Sequence, residues 1–317
     1  MNAELKNLHD HNNHDQSNLD QDPIESNVNP NGMKNLSVTE PLDSKKIGDA
    51  LIAHAKLNAN DVERILHLQK DKKILFGEAA KNLGLVTTAD IEHVLAQQFN
   101  YPYIRETNSS ISKLLTAAHT PFTTEVESLR SLRGQLMMRW FNQGHKTLAI
   151  ASSNSDENAH LIAANLAITF SQLNKKTLLI DANLRQPNQH QLFGIDSKLG
   201  LTNILGNQQG SYELTRQKSL PNLAVLSAGT EVPNPQELLS LDAFSSLLTD
   251  LENIYDIILI DTTPLSLGSD MLSVVSKTKA AIIVARKDYT MAADLQLLNA
   301  QLSTTGAKVI GSILQEF

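Results

Sequence analysis

Along its second half the chain alternates short apolar runs with segments whose apolar residues recur every three or four positions. The runs at 147–151, 177–180, 223–226, 257–260, 281–285 and 309–314 are rich in Ile, Val, Leu and Ala with few polar interruptions, the signature of strands buried on both faces. Between them, 160–173, 235–254 and 291–302 carry helical periodicity. Strands alternating with helices predict an α/β fold, a mostly parallel sheet with helices on both faces. In such folds ligands sit at the carboxyl ends of the strands.

Residues 46–99 repeat themselves. Gly48 recurs as Gly77, Leu57 as Val86, Val62 as Ile91, Leu66 as Leu95 and Gln69 as Gln98, each 29 residues on. The apolar spacing within each copy predicts short amphipathic helices broken near Ala55 and Gly84, and two copies packed together give a small helical domain over 46–104. Pro102 ends the helical pattern, because the residue before a proline is pushed out of the α region. A Ser/Thr-rich linker at 105–124, with one apolar patch at 114–118, then leads to the sheet domain at 125–317. Residues 1–45 are dominated by Asn, Asp, His, Ser and Gln, too polar to offset the entropy of ordering, and predict a disordered tail. Its His9, His11 and His14 read as solvated low-complexity chain in preference to a metal tract.

Composition narrows the function. The 317 residues carry a formal charge of −7, which argues against a nucleic-acid partner. The absence of cysteine excludes disulfides, thiolate metal sites and cysteine nucleophiles, and fits a reducing cytoplasm. No apolar run approaches the roughly 18 residues of a spanning helix, so the expected location is cytoplasmic, with contact to the inner membrane made through a partner.

Candidate chemistry stands at three strand ends. The first strand runs into SSNSDENAHLIAANLA, a strand, tight turn and helix where a P-loop belongs. In such a loop the backbone N–H groups and the helix dipole hold phosphate, a Lys reaches its outer oxygens, and a Ser or Thr hydroxyl holds Mg²⁺. The second strand ends in LLIDANLRQP, with Asp181 and Arg185 beyond its tip, and the fourth in IILIDTTP, with Asp261 beside the loop. A carboxylate closing an apolar strand is the Walker B arrangement; a helix N-cap is the other reading of each Asp.

Over 125–317 these residues resemble the bacterial tyrosine kinases that control polysaccharide chain length, and most of all the EpsG-type chain-length determinant kinases of exopolysaccharide clusters. The resemblance rests on Glu127, Arg130 and Arg133 in E-x-x-R-x-x-R spacing, the AANLA helix, LLIDANLRQP, PNPQELL, IDTTP and VIGSIL. It implies ATP and Mg²⁺ as cofactors, Asp181 as base or metal ligand, Asp261 on the metal or its water, and Arg185 steadying charge. It also implies a homo-oligomeric ring built by Glu127, Arg130 and Arg133, which a spacing of three places on one helical stripe; an ordinary solvated salt-bridge face fits the same spacing. The partner it implies is a membrane polysaccharide co-polymerase. The repeat domain is similar to the N-terminal domain of type II secretion and pilus-assembly ATPases, some of which bind cyclic di-GMP. Their motif opens each copy with Arg-Leu-Gly, where this chain has Lys46-Ile47-Gly48 and Leu75-Phe76-Gly77, so a protein-docking module is the favoured reading.

The departures from the family pattern are chemical. In register, its G-E-G-K-[ST] falls on Asp156, Glu157, Asn158, Ala159 and His160, so the phosphate lysine is an alanine and the Mg²⁺ hydroxyl an imidazole. Its D-x-D-x-R reads Asp181-Ala182-Asn183-Leu184-Arg185, with one acid an amide, and Gln315 stands where the last strand usually ends in Asn. Lys146 and Lys175 lie outside the loop and read as solvated. The sequence ends in SILQEF and its tyrosines are scattered, so autophosphorylation of a C-terminal tyrosine cluster is not expected. The leading expectation is a pseudokinase regulator, and the alternative an active ATP-dependent tyrosine kinase. A partitioning-type ATPase is disfavoured because its extra loop lysine is Asn154 here.

Overall fold

The computed structural model describes residues 44–98, 101–104, 109–196, 198–206, 214–216 and 218–316. The predicted tail and its three histidines lie outside the described residues, apart from the tail's last two positions, which open the first helix. That helix, α1 (Ser44–Ala55), is followed by α2 (Ala59–Lys72), α3 (Phe76–Asn82) and α4 (Thr88–Gln98). The repeat is visible down to its caps. Asn58 and Asp61 exchange side-chain and backbone hydrogen bonds at the start of α2, and Thr87 and Asp90, each 29 residues on, do the same at the start of α4. Such reciprocal caps satisfy N–H groups that a helix start leaves open. Ile65, Ala79, Ala80 and Val86 form the buried centre of this helical part, apart from the clusters around the sheet.

The strap at 101–104 joins this part to the rest through side chains pointing in opposite directions. The Tyr103 hydroxyl meets His93 Nδ1 at 2.8 Å. Tyr101 donates to Gln172 Oε1 at 2.6 Å and accepts from Arg130 Nη2 at 2.8 Å. Beyond it, α5 (Thr116–His119) and α6 (Thr124–Arg139) lead into the sheet. The stretch predicted as a linker is packed over its described part: Ile111, Leu115, Ala117 and Ala118 are buried, and Asn165 accepts the Ala117 N–H at 2.9 Å. The AANLA segment thus has a structural task.

The remaining elements are β1 (Thr147–Ser152), α7 (Ala159–Ser171), β2 (Thr177–Ala182), α8 (Gln189–Leu192), α9 (Leu201–Leu205), β3 (Leu214–Arg216) and β4 (Leu223–Leu226). After them come α10 (Pro235–Ser240), α11 (Asp242–Glu252), β5 (Ile257–Thr262), α12 (Asp270–Thr278), β6 (Ala280–Arg286), α13 (Ala292–Thr304) and β7 (Lys308–Gln315). The sheet runs β3-β4-β2-β5-β1-β6-β7, and all neighbours are parallel except the edge pair β3–β4. Alternation along the strands divides the core. Leu148 and Ile150 join Leu166 and Phe170 of α7 on one face; Ala149 and Ala151 join Phe244, Met271, Val274 and Leu298 on the other. The mostly parallel sheet covered on both faces is present as expected. One expectation is corrected: the helix at 235–254 is two helices, because Leu241 is extended at φ −58°, ψ 149° and breaks the turn.

Candidate functional site

The turns after β1, β2 and β5 converge. Parallel register sets Asp181 directly beside Asp261, and the two carboxylates are 0% and 1% exposed. Asp181 accepts three backbone N–H groups, from Asn183 at 3.2 Å, Asn188 at 3.1 Å and Gln189 at 3.0 Å. Gln189 also bridges the pair: its Nε2 donates to Asp261 Oδ2 at 2.7 Å and to the His160 carbonyl at 3.0 Å. Burial raises Asp181 to about 7 although its three N–H partners pull the other way. Burial, then the charge of Asp181, pushes Asp261 well above the usual carboxylate range. Like charges side by side in a dry strand end resist joint ionisation.

The turn after β1 is shaped from within. Asn158 adopts the left-handed conformation at φ 49° before Ala159 opens α7, a position asparagine tolerates better than most residues. Glu157 is fully buried, and its carboxylate accepts the Ser153 N–H at 2.6 Å, the Asn154 N–H at 3.1 Å and the Thr290 hydroxyl at 2.7 Å. Asp156 turns outward, where it accepts the Tyr289 hydroxyl at 2.7 Å. Ala159 is buried, and the half-buried His160 has its pKa lowered by desolvation, which favours the neutral ring. A cleft of about 40 Å³ remains, lined among others by Ser152, Ala159, His160, Asn183, Asn188 and Asp261, and by no Lys or Arg. Around these strand ends Ser152 Oγ, Ser153 Oγ, Thr263 Oγ1 and Gln189 Oε1 are buried without a partner.

The other candidate residues are placed as follows. Asp181 lies behind the cleft wall and is not part of its lining, whereas Asp261 is. Arg185 leaves the cleft and grips both oxygens of buried Asp270, at 2.5 and 3.0 Å. Gly268 permits this approach, since a Cβ there would stand 2.7 Å from Arg185 Nε. On α6, Glu127 is 66% exposed along its side chain and pairs with Arg130 at 2.8 Å. Arg130 also donates to Tyr101 and to the Pro121 carbonyl at 2.5 Å, and Arg133 donates to the Thr169 carbonyl at 2.6 Å. Both arginines therefore bond to groups of their own chain. Sequence reasoning missed Gln189 and Asp270. Nothing in the pattern singles out Gln189, but Asp270 opens an apolar 271, 274, 275 spacing that reads as a helix start.

A protein-family profile described as an AAA domain matches residues 159–308. The putative tyrosine-protein kinase CapB of Staphylococcus aureus is 31% identical over 196 residues, covering 62% of this chain and 86% of that protein. The tyrosine-protein kinase etk of Escherichia coli K12 is 28% identical over 198 residues, 62% of this chain but only 27% of the relative's length. Among solved structures, the kinase domain of the Escherichia coli tyrosine kinase ETK superposes with a TM-score of 0.61 at 28% identity, covering 67% of this chain and 82% of that one. The chimerical protein CapA2B2 gives 0.60 at 26%, covering 71% and 99%. The fold is that of the P-loop NTPase-like kinase domain on which it superposes. The chain belongs to the bacterial tyrosine kinases of polysaccharide chain-length control.

Two outcomes follow from the geometry. Replacing Glu157 by Ala leaves two buried N–H groups without an acceptor, so stability in urea falls by roughly 1–3 kcal/mol, and Glu157→Gln, which keeps an acceptor, loses less. The folded Asp181–Asp261 pair holds a proton that the unfolded chain releases near 3.8, the ordinary value of an aspartate. Folding therefore takes up protons, and the pair's contribution to stability declines as pH rises from about 4 through about 7. Urea midpoints across that window fall for the natural protein and fall less for Asp261→Asn.

Proposed function

We propose that the chain is a catalytically degenerate member of its family, a pseudokinase that regulates exopolysaccharide chain length or export beside a membrane polysaccharide co-polymerase. The observation that carries this reading is the donor set at the β1–α7 turn: Ala159 and His160 stand where the family pattern has its phosphate lysine and magnesium hydroxyl. A magnesium triphosphate does not fit the residues present. Among the described residues the cleft offers no cation to the outer phosphates, a half-buried imidazole in place of a hydroxyl, and Asn183 in place of an acid. Phosphoryl transfer depends on electrostatic positioning, and these groups do not supply it. Glu127 remains available on α6 for a neighbouring copy. The helical repeat serves as a docking unit for a protein partner, with cyclic di-GMP the lesser reading. No helix among the described residues is long and apolar enough to cross a membrane; in this reading the co-polymerase makes the membrane contact.

An active tyrosine kinase is the second reading. It is favoured by the adjacent carboxylates Asp181 and Asp261 and by relatives named as tyrosine-protein kinases.

Calorimetric titration with Mg·ATP and Mg·ADP separates the two. The natural protein gives no binding heat, and an Ala159→Lys, His160→Ser variant gains it; micromolar binding by the natural protein overturns the pseudokinase. For the ring, sedimentation velocity is expected to show an oligomer that Glu127→Arg shifts toward monomer. This single change is the cleaner probe, because Arg130 and Arg133 also hold their own chain together.

A further inference from the structure

At the amino ends of β1, β2 and β5 lies a second, larger cleft that opens to solvent. A six-residue strand separates them from the carboxyl-end cleft, roughly 20 Å at the usual rise per residue. The cavity measures about 180 Å³, and its wall includes His145, Lys146, Lys175 and Asp256, with Phe141 and Met137 on the apolar side. The sequence sets Lys146 and Lys175 far apart. Each stands just before a strand, and the β2-β5-β1 order brings their turns to one edge of the sheet.

We propose that this cavity binds a small organic anion, a phosphomonoester or carboxylate carried on a single-ring apolar body. Among the described residues neither lysine forms an ion pair. Lys146 Nζ spends one donor on the Glu252 carbonyl at 2.5 Å, at the end of α11, and an ammonium has three. Among the described residues the half-buried Lys175 ammonium makes no hydrogen bond or ion pair. The one acid in the wall, Asp256, directs Oδ2 to the Lys176 N–H at 2.9 Å and pairs with neither lysine. The wall is also held in place beforehand. Gly144, at φ +93°, turns the chain into His145, whose ring stacks on Trp140 at 3.7 Å. Trp140 is fixed in turn by its Nε1 bond to the Thr147 carbonyl at 2.8 Å. Preorganised donors lower the cost of binding. The cleft is roomy enough for a ring with an anionic head. The site stands independently of the pseudokinase reading.

Trp140 is the sole tryptophan, so its fluorescence reports on a residue of the cavity wall. The full chain is titrated with phenyl phosphate and with benzoate, alongside inorganic phosphate and phenol. A saturable change with a dissociation constant on the order of 1 mM is expected for phenyl phosphate or benzoate, the tighter of the two identifying the head group. Phosphate alone binds about tenfold more weakly for want of ring burial, and phenol gives no saturable change. Lys175→Ala raises the constant for the tighter probe about tenfold, and Lys175→Arg restores most of it. No saturable response to either organic anion, a response unchanged in Lys175→Ala, or phenol matching phenyl phosphate overturns the proposal.

Discussion

The pairing of β2 with β5 governs the carboxyl edge of the sheet. It sets two buried carboxylates side by side, and the surrounding chain is arranged to accommodate them. The turn after β2 curls so that three N–H groups reach Asp181, and α8 begins where it does because Gln189 must face both acids. Its side chain ties the first turn of α7, through the His160 carbonyl, to Asp261 of β5, and its backbone N–H reaches Asp181 of β2. Removal of any member leaves a buried polar group unpaired, which makes such a network stiff.

A second acid performs the corresponding task for the turn after β1. Glu157 supplies an acceptor for N–H groups that the end of a buried strand would otherwise leave open, so the turn holds its shape with no help from a bound anion. The neighbouring pairs Asp156–Tyr289 and Glu157–Thr290 fasten this turn to the one after β6. The turn that lines one side of the cleft is therefore held by contacts within the chain.

Most of the architecture was legible because parallel strands buried on both faces leave uninterrupted apolar runs. Their ends were not. The runs at 177–180 and 257–260 continue in the structure to Ala182 and Thr262, since a buried acid such as Asp181 or Asp261 keeps strand geometry when its neighbours satisfy it, and hydropathy alone does not register that. The edge strand β3 left no signal: three residues pairing on one side carry too little pattern. The helical repeat was visible because Gly48, its apolar positions and Gln69 recur 29 residues on; its paired caps emerge only in the structure. At the candidate site the strand-end acids and the altered loop residues could be read directly. The bond between Arg185 and Asp270 could not, because it depends on a chain crossing at Gly268 that no local spacing encodes.

The strap at 101–104 gives the helical repeat a mechanical connection to the sheet. Its two phenols lie on either side of Pro102, whose ring fixes φ, so neither swings freely about that residue while the other stays still. One phenol is seated on His93 of α4, the other on Arg130 of α6 and on Gln172 at the end of α7. The repeat and the α6–α7 face thus share one short joint, anchored on α4 through Tyr103 and on α6 and Gln172 through Tyr101.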